Sequence, residues 1–110
     1  MTQEDKELLL KDLCARLPYG TLVYAQNADD WYDDEISTQV LSDVINEDYV
    51  VKPYLFPMSS MSNEQKKYIR SNYTFGATYE LFDWLNKNHF DYRGLIDKGL
   101  AIDATILNIY

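Results

Sequence analysis

The chain has 110 residues, enough for one domain whose core buries about 65% of the surface that the unfolded chain exposes. Although its net charge is -8, a hydrophobic content of 46% with 15% aromatic residues indicates an ordered globular protein rather than a disordered acidic one. A lone cysteine excludes a disulfide framework, and neither a signal peptide nor a membrane span is expected, so we predict a single domain over residues 1–110 in the cytoplasm.

The first predicted element is a helix over about residues 2–16. Thr2 followed by Asp5 resembles a helix-capping pair, and Pro18 ends the helical pattern. The predicted apolar stripe of this helix comprises Leu9, Leu10, Leu13, Cys14 and Leu17. We therefore expect the thiol of Cys14 to be buried and inert.

Three short strands are predicted next, at residues 21–25, 36–41 and 49–52, with a polar loop at residues 27–34. Pro53 is expected to end the ladder of the third strand or to place that strand at an edge. The links between these strands are too short for parallel crossovers, which favours an antiparallel meander.

Helices dominate the remainder of the chain. Ser62 and Gln65 form a capping box that predicts a helix from residue 62, and Gly76 precedes a further helix from Thr78 to about residue 87. The predicted fold class is α+β. In it, the N-terminal helix and two to three C-terminal helices pack on one face of a small three-stranded, mostly antiparallel sheet.

The charge is distributed unevenly along the chain. Between Leu17 and Val51 there are eight acidic residues and no Lys or Arg, whereas the remainder has ten acids and ten bases. This distribution predicts a negative field on the side of the molecule that holds the sheet. Such a field repels nucleic-acid phosphates, which argues against direct DNA or RNA binding, and it attracts a protein partner with a basic surface.

The predicted protein-binding site is the acidic tip, which comprises Asp29, Asp30, Trp31, Tyr32, Asp33, Asp34 and Glu35. Trp and Tyr are enriched among the residues that anchor protein interfaces. In the alternative interpretation, the two aromatic rings fold back onto the sheet and the acids only solvate a loop. The tip lacks the ligand pattern of an EF-hand, so no calcium site is expected there. Carboxylates that imitate phosphates leave a nucleic-acid-mimic inhibitor as a further alternative.

No set of catalytic groups is evident, so we expect a protein that is not an enzyme and has no metal and no cofactor. His89 is the one histidine, and its position near a helix C-terminus is explained by interaction with the helix dipole. One His and one Cys are too few for a zinc site, and no nucleophile elbow or phosphate-binding loop is present. Arg93 is expected to pair with a carboxylate inside the protein or to remain exposed for a ligand.

A small-ligand binding protein is the main alternative function, with a nucleotide or metabolite as the ligand. The residues predicted to line its pocket are Tyr54, Phe56, Trp84, His89, Tyr92 and Arg93. The leading interpretation remains a non-enzymatic acidic protein-interaction module, with no membrane contact and with a homo-oligomer left open.

A family resemblance is carried by three blocks: LLLKDLCARLPYG at residues 8–20, KPYLFPMSSMS at 52–62 and FDWLNKNHFDYRGLI at 82–96. These blocks resemble a group of short uncharacterised proteins from gut anaerobic bacteria and their phages or mobile elements. In that group we expect an Arg where this chain has Phe56, and an ending with Pro and Gly where it has residues 103–107. The resemblance implies a bacterial or phage cytoplasmic setting. It also implies an accessory role, such as binding and inhibiting a host factor.

Overall fold

A computed structural model describes residues 1–73 and 78–110, and these residues form an α+β fold, as predicted. The described elements are α1 (Gln3–Arg16), β1 (Leu22–Gln26), β2 (Trp31–Glu35), α2 (Thr38–Ile45), β3 (Val50–Pro57), α3 (Asn63–Asn72), α4 (Thr78–Lys87), β4 (Phe90–Asp91) and β5 (Ile102–Asp103). Short 3₁₀ turns, Leu17–Tyr19 and Met58–Ser60, follow α1 and β3.

The sheet of the described residues has five strands and is mixed, so the prediction of a three-stranded, mostly antiparallel sheet was too simple. β1 pairs in antiparallel fashion with β2 on one side and with β3 on the other. The second half of β3 pairs in parallel with β4 and with β5. β4 and β5 are two residues long each, and so short a segment carries no alternating pattern by which a sequence predicts a strand.

The second predicted strand was wrong. Residues 36–41 enter α2 instead, because the Val40 N–H donates to the Ser37 hydroxyl (3.3 Å) and caps a helix. Val40 and Val44 then lie one turn apart on the buried side of that helix. The actual second strand is β2, which lies in the segment that was predicted to be a loop.

β3 is longer than predicted because it changes partners at its midpoint. Its ladder with β1 ends at the pair formed by Val23 and Pro53. Beyond that pair the hydroxyl of Tyr110 stands between the strands, because it accepts from the Leu22 N–H and donates to the Tyr54 carbonyl, each at 2.8 Å. The strand nevertheless continues to Pro57, since the Phe56 N–H donates to the carbonyl of His89 (2.8 Å) next to β4. The ladder with β1 thus stops near Pro53, as expected, but the strand does not.

α1 was predicted within one residue, but of its predicted stripe only Leu9 and Leu13 are buried. The Asp5 N–H donates to the hydroxyl of Thr2 (3.1 Å), which caps the helix. The buried residues of the helix are Leu9, Asp12, Leu13 and Arg16. Cys14 is exposed, which contradicts the prediction of a buried thiol, because an ion pair occupies the inner face and turns residue 14 toward solvent.

After residue 62 the described residues form two helices, the lower number of the two to three that were predicted. Ser62 and Gln65 form the complete capping box at the start of α3, with N···O distances of 3.1 and 2.9 Å, and α4 begins and ends where expected. Gly76, the predicted break between the two helices, lies outside the described residues.

Two apolar clusters hold these elements together. The larger one packs α1 and α2 onto one face of the sheet through Leu9, Leu13, Val23, Ala25, Val40, Val44, Val51 and Leu55. The smaller cluster joins α3 and α4 to the end of β3 through Met61, Leu85 and Phe90. Within the described parts of the chain, no helix has the length and apolar character needed to cross a bilayer.

Candidate functional site

One face of the sheet lies opposite the helices and is termed the outer sheet face. Side chains alternate along a strand, so the neighbours of the buried Val23, Ala25 and Val51 project to this face. It comprises Leu22, Tyr24 and Gln26 of β1, Trp31, Asp33 and Glu35 of β2, and Val50, Lys52 and Tyr54 of β3. The face therefore combines aromatic, apolar and acidic side chains.

Trp31 is the most prominent aromatic residue of the acidic tip. Its side chain is 60% exposed, and its ring stacks on that of Tyr24 with centroids 6.1 Å apart and planes inclined by 25°. Val50, on the same face, is 59% exposed. A stacked indole that keeps most of its surface in water has the form of an interface anchor.

Tyr32 points the other way, which divides the predicted tip between two faces. Its hydroxyl donates to the carboxylate of Asp43 on α2 (2.7 Å), and its ring meets the edge of Tyr49 at 5.1 Å. Burial and then the Asp43 carboxylate raise the pKa of Tyr32. Tyr32 thus contacts α2 on the inner face, whereas Trp31 is exposed to solvent on the outer sheet face.

The carboxylates of the tip are exposed and lack basic partners. Among the residues that the structure describes, no salt bridge involves Asp29, Asp30, Asp33, Asp34 or Glu35. The Tyr54 hydroxyl donates to the carboxylate of Asp33 (2.7 Å), and burial followed by this carboxylate raises the pKa of Tyr54 to about 12. The negative field inferred from the distribution of charge stays a prediction, and these unpaired carboxylates are consistent with it.

The free edge of β2 is blocked by its own side chains. At the hairpin end, the Asn27 N–H donates to the Asp30 carbonyl (2.9 Å), which makes residue 30 a hydrogen-bonded position of the ladder. Because such positions alternate along an antiparallel pair, the even-numbered residues of β2 bond to β1 and the amides of the odd-numbered residues point away from it. Two of these amides are occupied, since Trp31 N–H donates to Asp30 and Glu35 N–H donates to Asp34, each at 2.8 Å. Such self-capping, with its negative charge, opposes the addition of another strand at this edge.

Two shallow depressions flank the stacked pair on the outer sheet face. One, of about 470 Å³, is lined by Tyr24, Gln26, Asn27, Ala28, Val50, Lys52 and Ile102. The other, of about 540 Å³, is lined by Leu22, Asp33, Asp34, Glu35, Tyr54, Leu107 and Ile109. Apolar side chains of the C-terminal segment thus lie beside the carboxylates of β2. The apolar character of residues 101–110 indicated that this segment docks, but not on which surface.

The six residues predicted to line a ligand pocket do not share one cavity. Phe56 and His89 line a common cavity of about 470 Å³, and Tyr54 belongs to the outer sheet face. The ring of Trp84 is stacked against Phe90 at 5.7 Å. Tyr92 and Arg93 belong to a buried polar cluster elsewhere.

That polar cluster is centred on Asp12, whose side chain is fully buried. Arg16, also fully buried, donates to both of its carboxylate oxygens (2.8 and 3.1 Å), and Arg93 donates to one of them (2.9 Å). The ring of Tyr92 lies under both guanidinium groups, at 5.3 and 4.6 Å. The internal pairing expected for Arg93 is therefore present, and its partner, Asp12, belongs to α1. The spacing of Asp12 and Arg16 by four residues was the available signal, but such pairs are usually exposed.

His89 is held in a neutral state. Its Nδ1 lies 2.9 Å from the hydroxyl of Thr21, and its ring stacks on Tyr110 at 3.7 Å. Burial, followed by the charge of Arg16, lowers its pKa to about 4. Because the ring is uncharged at neutral pH, a charge–dipole interaction with α4 does not account for its position. In the described part of the chain, no group of three or more His, Cys, Asp or Glu is placed to hold a metal ion.

Comparison of the chain with protein-family models, curated proteins and solved structures found no match. Its function is therefore argued from the residues and surfaces described above.

Proposed function

We propose that this protein is a non-enzymatic acidic interaction module that binds a basic protein segment on its outer sheet face, around Trp31. The observation that carries the proposal is the exposed indole, which is stacked on Tyr24 and surrounded by carboxylates without salt-bridge partners in the described residues. An exposed aromatic anchor inside a field of one sign suits a partner of the opposite sign.

The mode of binding follows from which polar groups are available. The edge amides of Trp31 and Glu35 are already bonded to side chains, so a partner gains little by adding a strand to β2. The face of the sheet offers the indole, the apolar surface of Val50 and the carboxylates of Asp33 and Glu35. A partner segment with Lys or Arg beside an apolar side chain complements this arrangement. Lys52 is the one base on the outer sheet face, and it lies beside Val50, away from β2.

The resemblance to proteins of gut anaerobes and their phages supplies a setting for this activity. We place the protein, as part of the proposal, among the cytoplasmic accessory proteins of a bacterium or phage, where it binds a basic surface of a host protein. The outer sheet face supports a proposal about the chemistry of the partner and not about its identity.

A direct test uses Trp31 as its own reporter. In a Trp84→Phe background, the indole of Trp31 is the single tryptophan, and its fluorescence is titrated with a short peptide of alternating Lys and Leu. A peptide with Gln in place of every Lys serves as the uncharged control. We expect saturable binding of the Lys peptide that weakens as salt rises from low concentration to about 0.5 M, because screening shortens the reach of the field.

Two variants with the same change in net charge separate the site from general electrostatics. The tip variant replaces Asp29, Asp30, Asp33 and Asp34 by Asn, which retains the oxygen that accepts each local hydrogen bond. The control replaces Glu4, Glu7 and Glu64 by Gln and Asp97 by Asn, four exposed acids outside the tip. We expect the tip variant to bind the Lys peptide about tenfold more weakly and the control to bind within about twofold of the unmodified protein. Equal losses in both variants, or binding that is indifferent to salt, would refute the proposal.

A further inference from the structure

The cavity that Phe56 and His89 share differs in character from the outer sheet face. It encloses about 470 Å³ and is lined by Phe56, Ser60, Gln65, Lys87, Asn88, His89, Phe90, Thr105 and Tyr110. This volume lies within the range of small-molecule sites. Its aromatic walls are close to one another, with ring centroids of Phe56 5.6 Å from Tyr110 and 6.1 Å from Phe90.

The lining of this cavity contrasts with the acidity of the whole chain. Among the residues that the structure describes, none that lines it has a side-chain carboxylate, and Lys87 contributes a cation. Three acids lie near the lining in sequence, of which Glu64 is exposed while Asp91 and Asp103 accept hydrogen bonds. Asp91 accepts hydrogen bonds from the backbone amides of Leu95 and Ile96, and Asp103 accepts from Thr105.

A second positive group lies behind the cavity wall. Arg16 donates from Nη2 to the carbonyl of Phe90 (2.6 Å), a lining residue, and its Nη1 is buried without a hydrogen-bond partner. Two guanidinium groups, those of Arg16 and Arg93, share the single carboxylate of Asp12, so this buried cluster has one net positive charge. A charge in a poorly solvated interior acts over a longer distance than one in water. Arg16 behind the wall and Lys87 in the lining therefore both favour a negative group in the cavity.

We propose that this cavity binds a small aromatic anion, whose ring packs against Phe56, Phe90 and Tyr110 while its charged group meets Lys87. The aromatic walls supply apolar contact and ring stacking, and the charge-assisted contact orients the ligand. Gln65 uses its Oε1 in the capping box of α3, so its amide N–H₂ is the group that it offers to a ligand oxygen. This site is independent of the acidic tip and of the proposed protein partner.

The experiment follows the single histidine of the chain by proton NMR. The imidazole resonances of His89 are unique, and the ring lines the cavity, so they report a bound aromatic ring directly. The unmodified protein is titrated with benzoate and with indole-3-carboxylate, each paired with its neutral amide, and with inorganic phosphate as a non-aromatic anion. We expect saturable shifts with the two carboxylates and at least about fivefold weaker binding of the amides and of phosphate.

Two lysine variants connect the signal to the site. Lys87→Gln is expected to weaken binding of the carboxylates about tenfold, whereas Lys98→Gln, which removes an exposed charge outside the cavity, leaves it within about twofold. The proposal is overturned if neither carboxylate shifts the His89 resonances saturably. It is equally overturned if the amides bind as tightly as the carboxylates, or if the two lysine variants lose affinity alike.

Discussion

Replacing Asp12 by Leu tests how the buried polar cluster is balanced. The change removes the one carboxylate that Arg16 and Arg93 share. The carbonyl of Phe90 is then the only hydrogen-bond acceptor left for the guanidinium of Arg16 among the described residues. Both Asp12 and Arg16 have 0% exposure of their side chains, so water cannot take the place of the lost carboxylate. A fully buried cation without a counter-charge is among the most costly defects that one substitution creates.

The expected loss of stability differs between the two residues of the Asp12–Arg16 ion pair. Breaking a buried ion pair so that one charge remains uncompensated costs about 3–5 kcal/mol, which we expect for Asp12→Leu. Arg16→Met instead leaves Asp12 paired with Arg93, although it removes the two hydrogen bonds from Arg16 to Asp12 and the one to the Phe90 carbonyl, and we expect a loss of about 1–3 kcal/mol. The double variant Asp12→Leu/Arg16→Met is expected to be about 2 kcal/mol more stable than Asp12→Leu alone, because no unpaired buried charge is left.

Urea denaturation of the four proteins measures these differences as free energies of unfolding. In thermal unfolding, the Asp12→Leu loss corresponds to a melting temperature lower by about 12–20 °C. Glu7→Leu, which alters an exposed acid on the same helix, is the matched control and is expected to change the free energy of unfolding by no more than about 0.5 kcal/mol. Arg16→Met proving more damaging than Asp12→Leu, or the double variant proving the least stable of all, would show that the argument from charge balance is wrong.

Two further predictions concern His89 and Cys14. The folded-state pKa of His89 is about 4, below the ordinary value of about 6.5, so the unfolded chain binds its proton first as the pH falls. The contribution of His89 to stability is thus retained in full above about pH 6.5 and declines from there toward pH 4. His89→Asn should remove this component of the decline, as measured by urea titrations at several pH values. Asparagine suits the positive φ of 63° at this position. If the His89 resonances titrate near pH 6.5 in the folded protein, the argument from burial fails. Cys14 is exposed, so a maleimide should modify it in the folded protein at nearly the rate measured in urea; protection by more than about tenfold would contradict the exposed placement.

Trp31 and Tyr32 illustrate how much of the candidate site a sequence can specify. Adjacent aromatic residues among acids predicted an interface, with a solvated loop as the alternative. Their separation to opposite faces follows only from the pairing of β2 with β1, since neighbouring residues of a strand point in opposite directions. Residues 31–35 include three acids with low strand propensity, so local preference argued for a loop and pairing with β1 overrode it.

The misassigned helix α2 has a different cause. Ser37 as a cap, with Val40 and Val44 one turn apart, was a readable helical signal. The apolar and β-branched residues of 36–41 also satisfy a strand pattern, and short apolar segments are ambiguous in this respect. The cap at Ser37 is the feature of this segment that favours the helix over the strand.

What the sequence determined by itself was local or additive. The capping box at Ser62, the bounds of α4, the α+β class and the one-sided acidity all depend on neighbouring residues or on sums of charge, and each can be read without knowing the fold. Tertiary structure alone decided which polar groups became internal. Arg93 reaches Asp12 across 81 positions of the chain, and that contact, together with Arg16, places an ion cluster beside Leu9 and Leu13 on the inner face of α1, with Cys14 outside that face. The physical reason is that burying a charge is tolerable only where partners converge on it, and such convergence depends on how distant segments pack.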